Sequence, residues 1–283
     1  MKNTFKLFGI IAVIVVIGFS FASCGDNGGG GYTPTAGLYR GVLPNLVAAD
    51  RVAGVAANNV AAAIEYANEN PGTFTLLVGA PVTHAGAALT LAEHVHLTIA
   101  GIGGRQTITR SGNGILFSIN GANRFLTLGN DITLAGHGAN TTPVVSIGNG
   151  GSLTMNAGAW ITDNSSTANN SAAAVSLLQE VSTFTMLGGE IRGNVATGTG
   201  SNGGVRINAG IFRIVNGVIF GGNEGVNSNT GTSYNALEIV SIGTATLGTM
   251  VGGVFTPTLN AEGEPVTLSN TNNTVRVVNG VLQ

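Results

Sequence analysis

Charge is what this chain of 283 residues has least of: only 8% of it is Asp, Glu, Lys or Arg. Lysine occurs twice, at Lys2 and Lys6, which leaves nine arginines against 13 acids in the remainder. A phosphate-binding surface needs clustered positive charge, so nucleic acid is excluded as a partner. A single cysteine, Cys24, excludes an intramolecular disulfide framework. Low charge can accompany disorder, but disordered chains are also poor in apolar residues. Here 43% of residues are hydrophobic and recur throughout, beside 45 glycines, which predicts one elongated folded domain.

The uncharged apolar run "LFGIIAVIVVIGFSFA" (Leu7 to Ala22) follows Lys2 and Lys6 and leads through small residues to Cys24, the layout of a secretory signal peptide. The run is short for a membrane span, which takes about 20 residues. "FASC" (Phe21 to Cys24) resembles a bacterial lipoprotein lipobox, with Phe21 where Leu is commoner. That resemblance implies lipidation of Cys24, removal of residues 1–23, and a partner in the membrane. It also implies an exported protein held at the cell envelope, at the outer membrane or cell surface. Residues 24–37 have the composition of a flexible tether.

Residues 38–72 read as an N-terminal cap. Within it, Val60, Ala63, Ile64 and Ala67 fall on one face of a short helix, capped by Asn58 or Asn59 and stopped by Pro71 and Gly72. From residue 73 onward, apolar-polar-apolar triplets recur. One column starts at Leu97, Leu126, Leu153, Phe184, Phe212, Ala245 and Val275, with steps of 27 to 33 residues. A second starts at Phe117, Val145, Val175, Val205, Leu237 and Val266, with steps of 28 to 32. A third carries Ile161, Ile191 and Ile219, each followed by an asparagine, at Asn164, Asn194 and Asn223. Three short strands per period near 30, with Gly and Asn corners, predict a parallel β-helix over 73–283. An antiparallel sandwich also uses short strands and Gly turns; the common step of two columns favours the coil.

Side chains alternate along a strand. Phe117, Val145, Val175, Val205 and Leu237 are therefore expected inside, and Ser118, Ser146, Ser176, Arg206 and Glu238 outside, the last two as a surface pair. Gly158, Gly189, Gly217 and Gly280 each lie five residues after a triplet start, where a corner needs positive φ. The corner asparagines are expected to form a ladder. The phrase "FRIVNGVIFGGN" (Phe212 to Asn223) is echoed by "VRVVNGVLQ" (Val275 to Gln283), which reads as a last rung whose open parallel edge invites pairing and is left to be covered by an earlier loop, a partner or a further segment.

On the periodicity and on "AIEYANENPGTFTLLVG" (Ala63 to Gly79), the chain resembles the pectin-lyase-like family of right-handed parallel β-helices. That family includes polysaccharide lyases and hydrolases as well as surface proteins without known activity. Its cleaving members use carboxylates from neighbouring rungs as acid and base or to hold calcium. The best match here is Asp163 with Glu190 and Arg192, a trio as readily explained by a solvated ion pair. His94 and His96 share a strand face but lack an evident third and fourth ligand, so no metal site and no cofactor is assigned. An outward threonine file at Thr98, Thr127, Thr154, Thr185 and Thr246, interrupted by Arg213, has one threonine per rung, too few for an ice-matching TxT face. The polar loops 164–172, 194–203 and 223–235 leave one corner and should line one edge, where recognition commonly resides. The expected function is a structural or binding protein of the envelope, with a glycan or protein ligand. The alternative is a polysaccharide lyase or glycoside hydrolase.

Overall fold

A computed structural model describes residues 32–283; the signal-like segment, Cys24 and the first part of the tether lie outside the described residues. The described chain winds into a parallel β-solenoid with three sheets per turn. The first sheet has nine strands, the second six and the third eight, and a two-stranded sheet lies beside them. All six strands of the second sheet are parallel neighbours, from Leu89–Thr90 through Phe117–Asn120, Val145–Gly148, Val175–Leu177 and Val205–Ile207 to Leu237–Ile239. At about 4.8 Å per strand the coil is roughly 30 Å long.

The triplet columns are the registers. In the first sheet Leu97 pairs with Leu126, Leu126 with Leu153, Leu153 with Phe184, Phe184 with Phe212, and Phe212 with Ala245. In the third, Ile161 pairs with Ile191 and Ile191 with Ile219. These residues are buried, and the Phe184 and Phe212 rings stack at 4.6 Å. Parallel register makes such like-on-like stacks, since each side chain sits one rung above its counterpart.

The N-terminal end is closed by strand Gly37–Arg40, antiparallel to Thr73–Val78, and by helix α1 (Val60–Glu69). α1 buries Val60, Ala63, Ile64 and Ala67, and its N-cap is Asn59, whose side chain accepts from the Ala62 N–H. Asn58 instead accepts from the Gly79 and Ala80 N–H groups, tying the helix start to the end of the first parallel strand. Asn68 clamps α1 to the second sheet, donating to the Thr90 carbonyl and accepting from the Ala92 N–H.

The C-terminal end corrects the sequence reading. Val275 does not continue the first column. Strand Val275–Val278 lies in the third sheet, antiparallel to Gly217–Ile219, with Val275 opposite Ile219 and Arg276 opposite Val218. Val281–Leu282 then folds back on it. Val266 also leaves its column: Thr267 bridges Thr246 antiparallel, against the first sheet. The reversal begins where Thr244–Val251 runs past its corner and returns through Gly252 and Gly253 as Val254–Pro257. Five residues after Ala245 stands Met250, where the three preceding rungs have a positive-φ glycine, Gly158, Gly189 and Gly217. The edge whose cover the sequence left open is therefore covered by the chain's own antiparallel strands.

Gly189 illustrates the corners. Its φ is +85°, and a Cβ there would lie 2.4 Å from the Ala159 carbonyl oxygen of the rung below. Only glycine permits both the turn and the approach.

Candidate functional site

The asparagine corner is an internal ladder with one member different from expectation. Asn140 Nδ2 donates to Asn164 Oδ1 at 3.0 Å, and the Asn164 N–H donates to Asn194 Oδ1 at 3.3 Å. Asn194 Nδ2 and N–H both donate to Asn229 Oδ1 at 3.0 Å. The fourth rung is Asn229, while Asn223 is exposed; a 3-10 turn, Gly225–Asn227, inserted after Ile219 moves the ladder residue down the chain. Each ladder asparagine is at most 1% exposed, and each also donates to backbone carbonyls. The ladder is structural: it satisfies buried backbone where the chain leaves the third sheet.

The three long loops depart at this corner and stack in register. Ser165 pairs with Val195 and Ser166 with Ala196 as short parallel strands, Thr230 bridges Val195, and Ala172, Asn202 and Tyr234 bridge in succession. Loop-to-loop bonds extend this to the tips, where the Thr199 N–H donates to Asn169 Oδ1 at 2.8 Å and the Ser201 N–H to Thr232 Oγ1 at 3.0 Å. What emerges is an ordered polar ridge of Ser, Thr, Asn and Gly along one edge.

That ridge overlies the outward side of the second sheet, so the residues expected in solvent there are covered. Ser118 alone keeps appreciable exposure; Ser146, Ser176, Arg206 and Glu238 are buried. Arg206 and Glu238 are vertical neighbours as expected, with Nη1 and Oε2 3.6 Å apart, but the pair is interior. Arg206 donates to the Gly200 carbonyl and to Asn208 Oδ1, and Ser233 donates to Glu238 Oε1. Loss of water around Glu238 raises its carboxyl pKa, partly offset by Arg206 and the Ser233 hydroxyl.

On the third sheet Glu190 and Arg192 form an ion pair, Oε2 to Nη1 3.3 Å, and Arg192 Nη1 also donates to Asn227 Oδ1. Asp163 stands apart. It occupies the positive-φ corner after Trp160–Thr162 and lines a shallow cleft of about 340 Å³ with Gly138, Asn164, Ser165, Gly193 and Val195. Among the described residues no ion pair joins it to Arg192. The trio is thus a pair plus a separate corner residue, and the pair leaves Glu190 engaged by a cation.

The most distinctive neighbour of that pair was missed in the sequence. Trp160, the chain's one tryptophan, faces outward opposite Thr133 on one rung and Glu190 on the next. The Arg192 guanidinium carbon lies 3.6 Å from its ring centroid, and that of Arg105 lies 3.4 Å away. Two guanidinium groups this close to one ring fit only on opposite faces, so the indole is clasped between them. Arg105 is anchored by Nη1 to the Gly158 carbonyl at 2.7 Å. Desolvation lowers its pKa, Asp131 opposes that shift, Arg192 adds to it, and Glu190 opposes it. The signal was available: Trp160 immediately precedes Ile161 as Glu190 precedes Ile191, so the two share an outward file.

His94 sits at a positive-φ corner against Glu93, while His96 stacks on Phe125 at 4.2 Å, so the two rings serve different neighbours. Desolvation chiefly lowers the His96 pKa, with His94 adding to the effect. The threonine file is a true register from Thr75 to Thr185, then Arg213 and Thr246.

These observations define the class: a parallel β-solenoid with closed ends, a stacked loop ridge, and an arginine-clasped tryptophan on an open face. No protein-family profile, curated protein or solved structure matches the chain.

Proposed function

We propose that this chain is a binding scaffold of the bacterial cell envelope, tethered by lipid on Cys24, whose stacked loops form its recognition surface. The observation that carries this reading is the register of the loops. A free loop loses conformational entropy when it binds, whereas loops already bonded to one another from rung to rung have lost much of it in folding. A glycan or a host-surface protein is the ligand class that a long polar ridge of hydroxyls and amides suits, through many hydrogen bonds. Lys2, Lys6, the apolar run and "FASC" support the anchor, and the three-strand rung with its capping helix supports kinship with pectin-lyase-like coils. The glycoside-hydrolase form of the alternative requires two free carboxylates facing one bond, and Glu190 is held by Arg192.

Two measurements test this reading. Purified full-length chain is applied to glycan and matrix-protein arrays; specific, saturable capture lost on replacing Asn169, Thr199 and Thr232 together by alanine supports the ridge. Capture unchanged by those substitutions removes it. Intact-mass analysis of the membrane-extracted protein is expected to find an acylated Cys24 as the first residue, and a chain retaining residues 1–23 contradicts the anchor.

A further inference from the structure

The 3-10 turn Gly225–Asn227 does more than displace the ladder residue: it lays its backbone over the corner that Asp163 occupies. The Gly193 N–H donates to the Asn227 carbonyl at 2.9 Å, which brings the neighbouring Val226 carbonyl to the Gly193 Cα. A point one carbon–carbon bond from that Cα, where any other residue would begin its side chain, lies 3.2 Å from Asp163 Oδ1, 3.2 Å from Thr162 Oγ1 and 3.5 Å from the Val226 carbonyl oxygen. A carboxylate, a hydroxyl and a carbonyl, drawn from one rung and from the inserted turn, thus converge on the space in front of a residue with no side chain.

Among the described residues none of these three oxygens accepts a hydrogen bond. Arg192 is in register with Thr162, but its guanidinium is turned to the Trp160 ring and bonds Glu190 and Asn227. Converging acceptors without a donor are satisfied by a group that brings both N–H bonds and positive charge. A primary ammonium has three donors for the three oxygens. A calcium ion takes about six to eight oxygens and is poorly balanced by one carboxylate. The flanks suit an alkyl stem: Val195 lines the same cleft as Asp163 and Gly193, and Val226 is 94% exposed.

We propose that the Asp163 corner binds a primary ammonium group of a ligand, a lysine side chain of a partner protein or a free polyamine. Asp163 supplies the charge, Thr162 and Val226 the remaining acceptors, and the two valines an apolar flank for the methylenes. An ammonium nitrogen seats just outside the Gly193 Cα, where a Cβ would stand in its way. The site uses none of Asn169, Thr199 and Thr232, so it stands or falls separately from recognition by the loop tips.

Isotope-labelled full-length protein is titrated with N-acetyl-lysine amide, spermidine, tetramethylammonium chloride and calcium chloride at constant ionic strength, while the amide resonances of Asp163, Gly193 and Val226 are followed by NMR. Saturable shifts with at least one primary amine are expected, and none with tetramethylammonium, which carries the charge but no N–H donor. Tighter binding of N-acetyl-lysine amide marks a protein lysine, and tighter binding of spermidine a polyamine. Asp163→Asn keeps a residue that tolerates the positive φ and removes the charge, and is expected to weaken amine binding roughly tenfold. Thr162→Val removes one acceptor at constant shape and is expected to weaken it several-fold, with circular dichroism unchanged in both variants. An equal response to tetramethylammonium overturns the proposal, as does a response to calcium with none to either amine. So does an amine affinity that neither substitution moves.

Discussion

At the scale of single residues, the ladder asparagines and the interior ion pair carry consequences out of proportion to their number. Asn194 accepts from the Asn164 N–H and donates to Asn229 and to the Arg192 and Ile161 carbonyls, all away from water. Removing that amide leaves several groups unsatisfied at about 1–3 kcal/mol each. Asn194→Ala is therefore expected to lower the unfolding free energy by about 2–4 kcal/mol in denaturant titration, and Asn223→Ala, at the exposed position, by no more than about 0.5 kcal/mol. The sequence pattern pointed to Asn223 because it lies four residues after Ile219, close to the three-residue step of Asn164 from Ile161 and of Asn194 from Ile191. Spacing cannot register an inserted turn that leaves the strand pairs intact. Glu238 makes a pH prediction with a definite sign. Its folded pKa is raised, so its contribution favours the folded state below the unfolded carboxylate value and is lost as pH rises through the raised one. Relative to the double variant Arg206→Met with Glu238→Leu, the parent is expected to lose stability from about pH 4 upward. Parallel profiles for the two proteins across that range contradict the assignment. Calling this pair exposed was a fair inference from strand alternation, which distinguishes inside from outside but says nothing about a second layer.

At the scale of elements, corners and strands differ in how openly the sequence declares them. The inward columns were legible in full through Ala245 and Leu237, because parallel rungs impose both a period of two along the strand and a fixed step between strands. Helix α1 was legible down to its four buried residues, since its spacing, cap and stop all agree. Direction was not. A strand reading "VRVV" alternates identically whether parallel or antiparallel, and only the connection decides. The one local clue is the loss at Met250 of the corner glycine that the three rungs just before it share. Glycines themselves divide by what surrounds them. Gly189→Ala meets a carbonyl oxygen as well as an unfavourable φ and is expected to cost about 2–4 kcal/mol. Gly103→Ala has φ +75° with open space around it, and is expected to cost about 1 kcal/mol. Thermal denaturation of the two variants side by side checks the difference.

At the scale of the whole molecule, the solenoid is closed at both ends by strands that run against its direction. Gly37–Arg40 lies against the first parallel strand, and Val275–Val278 against the last strand of the third sheet. Parallel edges left bare recruit other chains, so deleting residues 275–283 is expected to lower the melting temperature and give higher-order species in light scattering. A truncated protein that stays monomeric and melts unchanged shows the cover to be dispensable. The two halves of the sequence echo turn out to be neighbours. The Gly280 N–H donates to the Val215 carbonyl and the Asn279 N–H to Asn216 Oδ1, so the phrase is laid against its own copy in reverse. Because reversal is confined to the ends, every interior rung meets only a rung like itself. Such a chain is free to lengthen or shorten by one duplicated or deleted unit of about 30 residues while its ends stay as they are. In this architecture the reach of the rod is a quantity that inheritance can tune in whole steps.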